Sequence, residues 1–127
     1  MDRILGSMEH AFWLTDQIAP VHFALTARVV GEFRVDQLEL ALIEVQQQHP
    51  LLRVRVTLDE SRQPRFVEDT ASIPLRVVER QGEQHWQREV EQELSQPFNW
   101  AKAPLLRVVL LRSADPLIRN PVLIPLL

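Results

Sequence analysis

His10, His22, His49 and His85 are the side chains of this 127-residue sequence best suited to moving a proton near neutral pH. A catalytic histidine needs an acid, base or nucleophile beside it, and a zinc pair on a helix needs i, i+4 spacing with a neighbouring carboxylate. No two of the four histidines have that spacing, and none sits in a zincin-type pattern. His10 and His85 read as exposed helix residues and His22 as the polar side of a strand. His49 reads as the end of a helix, where a protonated ring favours the dipole. Ser7, Ser61, Ser72, Ser95 and Ser113 lie in no GxSxG elbow, and there is no GxGxxG or GxxxxGK loop to cradle a nucleotide. Glu89, Glu91 and Glu93 form a carboxylate run, but with Arg88 beside them they read as a solvated helix face. The absence of cysteine removes thiolate catalysis and cysteine-ligated metals. The residues alone therefore predict no catalytic, cofactor-binding or metal site, and no cofactor.

The elements that would position any such group are clearest between Val35 and Leu58. Leu38, Ala41, Leu42 and Val45 recur at i, i+3, i+4 and i+7, which predicts an amphipathic helix with that stripe towards the core. Asp36 is its expected N-cap, with Glu39 completing a capping box. Pro50 ends it, and Leu52, Val54, Val56 and Leu58 then alternate with Arg53, Arg55 and Thr57, the pattern of a strand with one apolar face. Upstream, Ser7 to Gln17 predicts a short helix capped by Ser7, followed after Pro20 by a strand closed by Gly31. Downstream, DESRQP predicts a hairpin turn into RFVED, and Ile73 to Arg80 a further strand. A charged surface helix follows, with Trp86, Val90 and Leu94 as its apolar stripe. Pro104 to Arg112 is nearly continuous in apolar residues, as expected of a strand covered on both faces. The expected fold class is α+β, a two-layer sandwich of helices on a mixed sheet.

A formal charge of -3 with 14 basic and 17 acidic residues interspersed offers no patch for a phosphate backbone, so no nucleic acid is expected as partner. No window approaches a membrane span and MDRILGSMEH has no signal-peptide pattern, so no membrane association and a cytoplasmic location are expected. The end, SADPLIRNPVLIPLL, is apolar and carries prolines at 116, 121 and 125, each of which removes a ladder donor and compromises a strand.

Two segments together resemble the condensation-domain superfamily of acyltransferases, which includes the condensation domains of nonribosomal peptide synthetases and polyketide-associated acyltransferases. VDQLELALIEVQQQHPLLRVRV resembles the family's helix ending in a histidine followed by Leu-Arg entering a strand, which places His49 and Arg53 on its motif. QPFNWAKAPLLRVVLLR resembles its Phe-Asp-x-x-x-x-Pro-Leu-hydrophobic-Arg segment, and SMEHAFWL resembles its opening helix. The resemblance implies a chloramphenicol-acetyltransferase-like lobe, present in part, and transfer of an acyl or peptidyl group from a carrier-protein or CoA thioester to an amine or alcohol. It also implies a general base in HHxxxDG, which this sequence lacks, and a mainly structural role for His49 and Arg53. Residues 1–112 are thus expected to be the N-terminal part of a condensation-type lobe and 113–127 a tail that departs from the pattern. The expectation is a truncated chain, inactive alone. The alternative is a non-enzymatic binding or oligomerisation module. Expected partners are an acyl or peptidyl carrier protein and a second copy, drawn to one open side of the Leu105 to Leu111 strand and to tail residues such as Leu117, Ile118 and Val122.

Overall fold

The computed structural model describes residues 2–29, 31, 34–113 and the backbone of 120–126. In chain order it has β1 (Asp2–Ile4), α1 (Ser7–Asp16), β2 (Phe23–Val29), α2 (Val35–Gln48), a 3-10 turn (Pro50–Arg53), β3 (Val54–Leu58) and β4 (Pro64–Glu68). These are followed by β5 (Leu75–Glu79), α3 (His85–Ser95), β6 (Val108–Arg112) and β7 (Asn120–Leu126). The α+β class and the mixed sheet are as expected, and the strands divide between two sheets. One is antiparallel in the order β1-β4-β3; the other, β2-β7-β6-β5, pairs β5 with β6 in parallel and is otherwise antiparallel.

Alternation along β6 shows how the helices are placed. Val108 and Leu110 pack with Val35, Leu38, Leu42 and Val45 of α2, whereas Val109 and Leu111 pack with Trp86 and Val90 of α3. Successive strand side chains point to opposite faces, so α2 and α3 cover opposite faces of the four-stranded sheet. Val108 to Leu111 are accordingly almost wholly buried, as the continuous apolar run predicted. A separate core of Leu5, Val54, Val56, Phe66 and Leu105 lies on the three-stranded sheet, with Trp13 of α1 and Trp100 against it.

Local chemistry accounts for the element ends. Gly6, not Ser7, is the N-cap of α1, and Glu9 reaches back to accept from the Gly6 N–H at 2.7 Å. The same carboxylate takes two hydrogen bonds from Arg3 at 2.8 and 3.0 Å, which together with the Gly6 bond hold it below the ordinary carboxylate range against the opposing effect of burial. In α2 the cap is Arg34; Asp36 lies one position inside the helix, pairing with Arg34 at 2.9 Å, and no capping box with Glu39 forms. Of its expected stripe, Leu38, Leu42 and Val45 are half-buried and Ala41 is exposed. The β3–β4 hairpin turns on Asp59, whose Oδ1 accepts from the N–H groups of Ser61 and Gln63, both at 2.9 Å. Gly82, at φ 145°, makes the turn into α3 in a conformation that side chains disfavour.

The C-terminal segment departs most from expectation. Asn120–Leu126 pairs along its length with β2, from Phe23↔Leu126 to Val29↔Asn120, and with β6 at Val109↔Leu123 and Leu110↔Val122. Pro121 and Pro125 do not deny it a strand. They have the same parity, so both missing donors fall on one flank of β7 and the other flank keeps its set. β6 consequently has a neighbour on each side, and the open side expected for it does not exist. Residues 114–119 and Leu127 of the expected tail, including Leu117 and Ile118, lie outside the described residues.

Candidate functional site

The two motif segments use one device twice. In the first, α2 stops at His49 because Pro50 cannot continue it, and the 3-10 turn returns the chain so that Arg53 lies under the helix end. Arg53 Nη1 donates to the carbonyls of Gln46 and Gln47, each at 2.8 Å, and its Nη2 lies 3.4 Å from Glu68. Gln46 secures the same corner by donating to the Leu52 and Ala71 carbonyls. The His49 side chain is exposed, while its backbone N–H bonds Val45 and its carbonyl accepts from Leu52. In the second, Arg107 Nη2 donates to the carbonyls of Glu93 and Gln96 at 2.8 and 2.6 Å, at the end of α3, and its guanidinium lies over the Phe98 ring. Each arginine thus reaches back to carbonyls at the C-terminal end of the helix before it, where a cation meets the negative end of the dipole.

Arg107 belongs to a larger cluster that overturns two readings of the sequence. Glu89 and Glu93 are not a solvated face but are buried, and His85 is buried with them rather than exposed. Arg107 Nε pairs with Glu93 Oε2; Arg76 Nη2, from β5, bridges Glu93 Oε1 at 2.9 Å and Glu89 Oε2 at 2.6 Å; His85 Nε2 meets Glu89 Oε1 at 3.1 Å. Burial pushes the Glu89 carboxyl up, but the hydrogen bond and charge of Arg76, helped by His85, outweigh it and hold the group below the ordinary range. The spacing 85, 89, 93 was a detectable signal, because i, i+4, i+8 is one helix face. What the sequence hid was the partner, since Arg76 and Arg107 come from other elements. The apolar stripe also narrows: Trp86 and Val90 pack on the sheet, while Leu94 is exposed.

Hydrogen bonding fixes what the histidines can do. His85 Nδ1 faces the Gln81 N–H at 3.1 Å, so it carries the lone pair, and Nε2 carries the proton given to Glu89. His22, expected on the polar side of a strand, is buried just before β2; its Nε2 donates to the Glu93 carbonyl at 2.8 Å and its ring meets Phe98 edge-on. Half-buried His10 stacks at a tilt on Trp13. Asp16, buried at the end of α1, accepts from the Val21 N–H and from the Trp100 indole, which ties α1 to the second motif segment. A groove of about 600 Å³ beside it is lined by Trp13, Asp16, Phe98, Asn99 and Trp100. Among the described residues no group of three or more His, Asp or Glu side chains is placed to hold a metal ion, and no helix is long and apolar enough to cross a membrane.

A family model for the condensation domain matches residues 13–117, a span that contains both arginine motifs and the buried cluster. The chain belongs to the condensation-domain family. Nonribosomal peptide synthetase kk1B of Curvularia clavata is 28% identical over 121 residues, covering 87% of this chain and 1% of that protein. The first condensation domain of the calcium-dependent antibiotic synthetase, solved with a substrate analogue, is similar with a TM-score of 0.85 at 18% identity, over 99% of this chain and 32% of that one. The starter condensation domain of rhizomide synthetase RzmA gives 0.83 at 17% identity with the same coverages. The four-domain synthetase holo-AB3403, bound to AMP and glycine, gives 0.81 at 16% identity over 99% of this chain and 10% of that one. At these identities the structural likeness carries the fold, and the chain spans about a third of the solved condensation domains that it matches.

Proposed function

We propose that this chain is the N-terminal part of a condensation-type lobe in an enzyme that transfers an acyl or peptidyl group from a carrier-protein or CoA thioester to an amine or alcohol. The observation that supports this most is the family match across residues 13–117, within which Arg53 and Arg107 both brace helix ends. In this reading Arg53, and His49 at the same corner, serve the framework and not the reaction. Residues 1–127 do not catalyse transfer alone. They contain no HHxxxDG, and a base that is not positioned gives no general-base acceleration. His22 and His85 already donate their Nε2 protons within the fold. The test is release of acyl group from CoA and carrier-protein thioesters by the purified chain. No turnover above buffer is expected, and turnover that survives His10, His22, His49 and His85 each changed to Ala would reject the reading. A carrier protein is the partner expected for the complete enzyme.

A second reading, an association module, is favoured by β2. It is an edge strand whose Phe23 and Leu25 are about half exposed, and Ile18, in the turn after α1, is almost wholly exposed. Association through this edge replaces the contact expected at β6. Sedimentation of the wild type and of Leu25→Lys distinguishes the readings, since a module that works through β2 dissociates on that change and a monomer is unaffected.

A further inference from the structure

A cleft of about 180 Å³ opens between α1 and the three-stranded sheet. Its floor is Val54, Phe66 and Leu105, all buried, with the half-buried Trp100 as a wall. Phe12 of α1 and Leu51 of the 3-10 turn form the lips, and both are about half exposed. We propose that this cleft binds a small uncharged hydrocarbon molecule about the size of a single aromatic ring, a site independent of the transfer reading above.

Volume sets the size. An apolar cavity of about 150 Å³ takes up benzene, and this cleft is slightly larger and bounded mainly by apolar side chains, with Glu9 at one side. Charge sets the chemistry. Among the described lining residues the one ionisable group is Glu9, and its oxygens are already occupied by Arg3 and the Gly6 N–H. Arg3 in turn lies over the Phe66 ring, its guanidinium carbon 4.9 Å from the ring centroid. A cationic ligand therefore finds no free carboxylate and an anionic one has to displace Glu9. Either leaves a charge against apolar walls, which is costly. Shape selects a free molecule over a protein segment. A helix docking in a groove needs anchor pockets repeated at i, i+4 and i+7, and this is one pocket with two lips.

The test is an amide-resolved NMR titration of the full chain with toluene, benzoate and benzylamine at equal concentrations. Toluene is expected to give saturable shifts concentrated at Phe12, Leu51, Val54, Phe66 and Leu105, with an affinity at least about tenfold above either charged analogue. Leu51→Trp, which places an indole across the mouth, is expected to abolish the shifts while leaving the rest of the spectrum in place; if that variant does not fold, Phe12→Trp on the opposite lip gives the same reading. Toluene shifts spread equally over the α2 and α3 cores, equal binding of the charged analogues, or undiminished binding by the folded lip variant would each overturn the proposal. So would the absence of saturable shifts, including the case where only another protein's side chain fills the cleft.

Discussion

The guanidinium carbon of Arg107 lies 4.1 Å from the centroid of the Phe98 ring, nine positions earlier in the second motif. Stacking leaves the edge of the guanidinium free, and that edge carries the bonds to the Glu93 carboxylate and to the carbonyls of Glu93 and Gln96. A planar, delocalised cation can satisfy ring and carbonyls together, and an ammonium cannot. The apparent sequence motif is thus a device that fastens the end of α3 to the strand that follows.

Arg107→Met is expected to destabilise the fold by about 3 kcal/mol, the low end for removing one partner of a buried pair, because the Glu93 carboxylate keeps Arg76. Arg107→Lys keeps the charge but loses the fork, and should recover less than half of that loss. Urea melts of the three proteins check the order; a lysine variant equal to wild type would show that charge alone matters.

The pH dependence follows from Glu89. Its carboxyl is held below its ordinary value near 4.5 in the folded state, so it stabilises the fold above that value, and the contribution is lost as pH falls from about 4.5 through the lower folded value. Glu89→Gln removes this titration. Its urea midpoint should therefore fall less than that of the wild type between about pH 6 and pH 3. Parallel profiles would mean that Glu89 does not hold its proton balance through Arg76.

The pattern of α2 was legible because periodicity reports a face directly, but how deep that face lies is a tertiary fact. Leu42 is half-buried against the Leu106, Val108 and Leu110 core, so Leu42→Ala should cost about 2 kcal/mol, at the low end for such changes. Leu40→Ala, at a position 66% exposed, should be near neutral. Equal effects in urea melts would place the helix face wrongly.

The same distinction explains what the sequence concealed. The β6 strand, the β3–β4 hairpin and the stops at Pro50 and Gly82 are written in local composition, and the structure has them. β1 is three residues long, too short for any alternation to show, and exists because Asp2 to Ile4 pairs with Arg65 to Val67. The buried row His85, Glu89 and Glu93 looked solvated because charged residues are seldom interior, and only the arrival of Arg76 and Arg107 makes burial tolerable.

The strand at 120–126 gives the last prediction, since the prolines that argued against it now sit in the middle of a sheet. β7 lies between β2 and β6, so among the described residues it is the hydrogen-bonded neighbour through which β2 joins that sheet. Deleting residues 114–127 therefore removes more than an apolar tail. It frees β2, unpairs one side of β6 and leaves the backbone groups of both strands to find water or another chain. The shortened chain should lose cooperative unfolding, or survive only as larger aggregates, whereas a dispensable tail would leave the melting curve and sedimentation coefficient of the remainder unchanged. Strand position decides between these outcomes, because an edge strand can be shed while a central one holds its neighbours in register. Pro121→Ala provides the finer test. Pro121 has a register partner in β2, Arg28, but none in the β6 register, which runs only over Leu123 and Val122; with its nitrogen on the β6 flank, restoring an N–H should change stability by less than about 1 kcal/mol, the scale of one net hydrogen bond. A larger stabilisation would place the proline on the bonded flank.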